Sequence, residues 1–99
     1  MKPLADIVEE RFKQIVKFGN PSLKDGTRMW PYADAAALHN RRHEWEVANA
    51  LGELTWRHVL AEEVAEAFNE SDPVALRSEL VQCAAVCVAW IEDLDRRST

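Results

Sequence analysis

Two glutamates interrupt an apolar stripe in the second half of the chain. Trp56, Val59, Leu60, Val64, Ala67 and Phe68 recur at helical spacing. Glu63 falls two turns beyond Trp56, and Glu66 two turns beyond Val59. Both carboxylates therefore lie at or near the core face, where an unpaired charge is costly. A second apolar helix follows and carries Glu79 and Gln82 at the same three-residue spacing. Side chains at i and i+3 share a face, so the two pairs can meet across a hairpin. Two carboxylates about 4 Å apart repel by roughly 4 kcal/mol at an effective dielectric near 20. Three gathered without a counter-charge either take up protons or open the fold. A hard divalent cation relieves the repulsion. Mg²⁺ takes carboxylate and phosphate oxygens and keeps several waters, and Mn²⁺ is its chemical neighbour. Such an ion clamps a polyphosphate and activates a water. The expected ligands are Glu63, Glu66, Glu79 and Gln82, with Glu63 and Glu66 also catalytic. The competing reading pairs these glutamates with Arg57, Arg77 or the lysines. Glu62 points about 100° from Glu63 around the helix and is expected at the surface or behind the ligands.

Four helices must position these groups. The first is expected over residues 4–18, with Leu4, Ile7, Val8, Phe12, Ile15 and Phe18 as its stripe, Pro3 in the first turn and Gly19 at the end. Lys13 and Lys17 share a face near its C-terminal end. They either complement the helix dipole or reach a phosphate. Residues 19–33 form a long loop rich in turn formers, a length that in compact domains usually carries function. Trp30 in this loop either closes over a substrate or pins the loop to the core. The second helix is expected over 34–51, with Asp34 as N-cap and Gly52 as the stop. His39, His43 and Glu46 on it are spaced for zinc, but Arg41 and Arg42 between them oppose a cation. The third helix covers 55–69 with Thr55 as cap. The fourth covers 73–96, with Asp72 and Pro73 as a start signal. The short turn between these two makes them antiparallel neighbours.

The 99 residues form one domain, and only three glycines and four prolines interrupt long runs of helix formers, so the fold class is all-α. A net charge of −5 argues against a nucleic-acid polymer as partner. No apolar leader follows Met1-Lys-Pro-Leu, and the apolar run 80–91 is shorter than the roughly 20 residues of a bilayer span. Cys83 and Cys87 read as small apolar side chains and suit a reducing cytoplasm. The fourth helix is apolar most of the way round, and one bundle of this size can hardly enclose it. A homodimer or homotetramer is expected, with this helix in the interface. Gln82, the one strongly polar side chain between Leu80 and Ile91, is then expected buried and either hydrogen-bonded or liganded.

At these residues the chain resembles the MazG-like branch of the all-α nucleoside triphosphate pyrophosphohydrolases. The pattern Glu-Glu-x-x-Glu, a gap, then Glu-x-x-Asp reads here as Glu62-Glu63-Val64-Ala65-Glu66, twelve residues, then Glu79-Leu80-Val81-Gln82. Glu10-Arg11-x-x-Gln14-x-x-Lys17-Phe18-Gly19 and Asp25-Gly26-Thr27 are similar to small actinobacterial and phage members. The resemblance implies a four-helix bundle that dimerises or tetramerises. It also implies Mg²⁺-dependent hydrolysis of a nucleoside triphosphate to the monophosphate and pyrophosphate. Glu63, Glu66 and Glu79 would hold the metals, and Lys17 and Gln14 would contact substrate. Gln82 departs from the pattern, since it stands where an aspartate is expected and takes one negative charge from the site.

Two other readings compete. In one, nucleotide is bound or sensed without turnover, which the neutral Gln82 favours. In the other, the chain is a helical interaction protein whose glutamates are ion-paired.

Overall fold

A computed structural model describes residues 1–28 and 31–98, and the side chains of 31–33 lie outside that description, as does Trp30. The described residues form four α-helices and no strand: α1 Lys2–Phe18, α2 Pro31–Ala50, α3 Trp56–Phe68 and α4 Pro73–Arg97. α2 begins earlier than its cap signal implied. Asp34 lies inside its first turn, because Pro31 with its fixed φ opens the helix. The connection before α2 shortens accordingly, and the backbone N–H of Arg28 donates to the carbonyl of Phe68, tying it to the end of α3.

Local signals set the other boundaries. α2 stops at a Schellman turn: Gly52 takes φ 72°, Glu53 N–H reaches the Ala48 carbonyl at 2.8 Å, and Gly52 N–H reaches Asn49 at 3.2 Å. Thr55 caps α3 by accepting from the His58 backbone N–H at 3.3 Å. The His58 ring returns the bond, its Nδ1 accepting from Thr55 N–H at 3.1 Å. Asp72 caps α4 by accepting from Ala75 N–H at 2.9 Å.

α3 lies at the centre, between α2 and α4. Trp56 at the start of α3 stacks on Trp90 near the end of α4, with ring centroids 6.5 Å apart. Its indole N–H donates to Asp93 at 2.9 Å, so the two helices run antiparallel. Small residues allow this close approach. Ala65 and Ala67 are both buried and point about 200° apart around α3. Leu38, Ala48 and Leu76 are buried as well, as is Pro3 in α1.

The expected stripe of α1 is not a core face in the single chain. Leu4, Ile7, Val8, Phe12, Ile15 and Phe18 are all exposed, Phe12 at 66%. α1 packs against α4 alone. Phe68, part of the expected α3 stripe, is exposed too, as are Leu51, Leu80 and Leu94. α4, 25 residues long, is long and apolar enough to cross a membrane by length and composition.

Candidate metal centre

The antiparallel crossing of α3 and α4 brings the end of one beside the start of the other. Glu63 and Glu66 of α3 and Glu79 of α4 there place one carboxylate oxygen each within 4.8 Å of one another. All three side chains are half-buried. One oxygen each of Glu63 and Glu79 is buried without a hydrogen-bond partner. At 4.8 Å and an effective dielectric near 20, each like-charged pair costs about 3.5 kcal/mol.

The sequence expectation understated this cluster in one respect. Glu62 belongs to it. Its carboxyl bonds to Glu66, one turn on, and its pKa is pushed up to about 7 by burial first and then by Glu66 and Glu63. The i,i+4 relation of Glu62 and Glu66 was readable from spacing. Burial raises the Glu63 carboxyl too, with Glu66 adding to it, and burial followed by the charge of Glu66 raises Glu79. The nearby Cys83 thiol is likewise pushed up, mainly by burial.

The counter-charge comes from none of the expected cations. Arg42 Nη2 of α2 lies 3.5 Å from Glu66 Oε1, while Arg57 and Arg77 are not among the cluster's ion pairs. Among the described residues, one guanidinium faces four carboxyl groups, which leaves the site short of positive charge. Oxygen-only donors, incomplete neutralisation and orphaned buried carboxylate oxygens fit a hard divalent cation. Glu63, Glu66 and Glu79 are the one group among the described residues that clusters this way. His39, His43 and Glu46 do not converge.

Gln82 corrects an expectation. It is exposed, so its amide needs no buried partner. α4 is covered by α3 and, more sparsely, by α1, and Gln82 stays exposed in the single chain.

The α1 residues stand apart from the acids. Lys13 pairs with Glu9 at 3.8 Å, Gln14 accepts from Arg11 at 2.7 Å, and the Lys17 ammonium sits 5.1 Å from the Phe18 ring centroid. Among the described residues α1 packs against α4 and not against α2 or α3, and Lys13, Gln14 and Lys17 make their recorded contacts within α1. Trp56 is engaged by Trp90 and Asp93.

No family model, curated protein or solved structure matches the chain.

Proposed function

We propose that the protein hydrolyses nucleoside triphosphates to monophosphate and pyrophosphate with the help of Mg²⁺, Mn²⁺ being an alternative. The observation that supports this reading is the convergence of Glu63, Glu66 and Glu79 within 4.8 Å, with Arg42 as the one cation ion-paired to the cluster among the described residues. The resemblance around Glu62-Glu63-Val64-Ala65-Glu66 and Glu79 points the same way. A divalent cation bound here supplies neutralisation of phosphate charge and a more acidic water.

The chain's own groups have separable tasks. Glu63, Glu66 and Glu79 would hold the cation through their carboxylate oxygens. Glu63 or Glu66, the two glutamates read as catalytic, would accept the proton of the attacking water. That water oxygen bonds to phosphorus, the phosphoanhydride bond breaks, and pyrophosphate leaves with the bonding electrons. Arg42 holds Glu66 in place. Lys17 and Gln14 are assigned to the substrate by the resemblance, and Lys13 is a further candidate because it shares their end of α1. The setting is the cytoplasm, with a nucleotide rather than a nucleic acid or membrane as partner.

The test is pyrophosphate release from a panel of ribo- and deoxyribonucleoside triphosphates, with and without Mg²⁺, for the native chain, Glu63→Ala and Gln82→Asp. Mg²⁺-dependent release lost in Glu63→Ala supports the enzyme. The neutral, exposed Gln82 favours a second reading, nucleotide binding without turnover. Activity appearing only in Gln82→Asp supports that one. If none of the proteins binds or hydrolyses a triphosphate, both readings fall and a helical interaction protein remains.

A further inference from the structure

A polyphosphate brings several negative charges to a site that already gathers four carboxyl groups. One divalent cation offsets only part of that charge, so a cation of the protein beside it has work to do. Among the described residues Arg42 is the one cation ion-paired to the cluster, with Nη2 3.5 Å from Glu66 Oε1.

This pair is loose. Its separation exceeds that of a charge-assisted hydrogen bond, and it joins side chains of two different helices. The Arg42 side chain is 54% exposed, against 20% for Glu66. The guanidinium can therefore turn away about its own side-chain bonds while Glu66 stays in the cluster. Glu66 is its one ion-pair partner among the described residues, which leaves most of its five N–H donors open.

Other nearby cations are committed elsewhere. Arg41, next in the chain, holds Glu44 at 2.7 Å. Lys13 and Lys17 make their recorded contacts within α1, which packs against α4. A divalent cation on Glu63, Glu66 and Glu79 replaces Arg42 as the counter-charge of Glu66, and the two positive charges then repel. A phosphate held at the same place offers Arg42 a new anion, and its planar fork matches two phosphate oxygens at once.

We propose that Arg42 changes partner when substrate binds, leaving Glu66 and taking a phosphate group of the nucleotide. The inference rests on the hydrolase reading, and it adds a substrate contact from α2 to those that the resemblance places on α1. The competing role for Arg42 is only to hold Glu66 in position. The two roles differ in what loss of the arginine does to the metal. A residue that positions Glu66 supports metal binding. One that competes with the metal for Glu66 opposes it.

The experiment uses the full chain stripped with EDTA. Calorimetry measures Mg²⁺ alone on the native protein, Arg42→Ala and Arg42→Lys, with circular dichroism confirming retained helix. A second titration, in saturating Mg²⁺, uses the α,β-methylene analogues of the common ribo- and deoxyribonucleoside triphosphates, whose α–β linkage resists hydrolysis. Arg42→Ala is expected to bind Mg²⁺ as tightly as the native chain or more so, and to bind the analogue about 10- to 100-fold more weakly. Arg42→Lys restores the charge without the fork and should recover part of the analogue affinity; it carries the test alone if Arg42→Ala loses helix. Unchanged analogue affinity in the variants, or a parallel loss of Mg²⁺ affinity, overturns the proposal and leaves the hydrolase reading standing. A native chain that binds none of the analogues overturns both.

Discussion

Arg42 and Glu66 join α2 to α3 through a 3.5 Å ion pair, and that contact places a cation at the edge of four carboxylates. The arginine is half-exposed, so the pair itself is worth only about 0.2–1 kcal/mol. Its larger role is to offset repulsion among Glu62, Glu63, Glu66 and Glu79. Arg42→Ala is expected to lower the melting temperature in EDTA by a few degrees, and added Mg²⁺ is expected to restore more of it than it adds to the native chain. Differential scanning fluorimetry with and without Mg²⁺ checks this. Equal Mg²⁺ shifts in both proteins would show that the arginine and the ion do not share a site.

The acid cluster dictates an unusual pH dependence for the metal-free protein. Glu62 has a folded pKa of about 7 against 4.5 for the free side chain, and Glu63 and Glu79 are shifted in the same direction. Between pH 4.5 and 7 the folded state therefore binds more protons than the unfolded state. Stability must rise as pH falls through this window. Asp93, lowered by its bond from Trp56, acts in the opposite sense only below the ordinary carboxylate range. Urea denaturation in EDTA at pH 5 and pH 7.5 should give the higher midpoint at pH 5, and saturating Mg²⁺ should reduce the difference. A midpoint that climbs with pH in EDTA contradicts the cluster's electrostatics.

Removing one charge should separate stability from function. Glu79→Gln keeps the side-chain shape and deletes a repulsive carboxylate. In EDTA it is expected to melt at a higher temperature, by about 4–8 °C for each kcal/mol of repulsion relieved in a domain of this size. Mg²⁺ stabilisation should largely vanish. Any pyrophosphate release should drop by about 100-fold or more, in line with losing a metal-held charge in the transition state. A variant that is no more stable without metal, yet still stabilised by Mg²⁺, would remove Glu79 from the site.

Trp56 is structural. Trp56→Phe keeps a ring to stack on Trp90 and loses the 2.9 Å bond to Asp93. The melting temperature should fall by a few degrees. In a hydrolytically active protein, KM for nucleotide should stay within about twofold, because uniform binding is untouched. A large rise in KM would place the nucleobase against this indole.

Much of this protein is written locally. The stops at Gly19 and Gly52, the caps Thr55 and Asp72 and the start at Pro73 are short-range chemistry, legible because each depends on residues within one turn. Periodicity identified which faces of α1 and α4 are apolar and put Glu63, Glu66 and Glu79 on faces able to meet. Only the tertiary structure decided what covers each face. The α1 stripe is apolar yet uncovered in the single chain, and Gln82 is exposed, because a hydrophobic pattern specifies burial without naming the surface that supplies it. Likewise Arg42 and Glu62 joined the acid cluster through the packing of α2 against α3 and the burial of one helical turn. Charge partners on separate helices depend on crossing geometry, which spacing along a single helix does not contain.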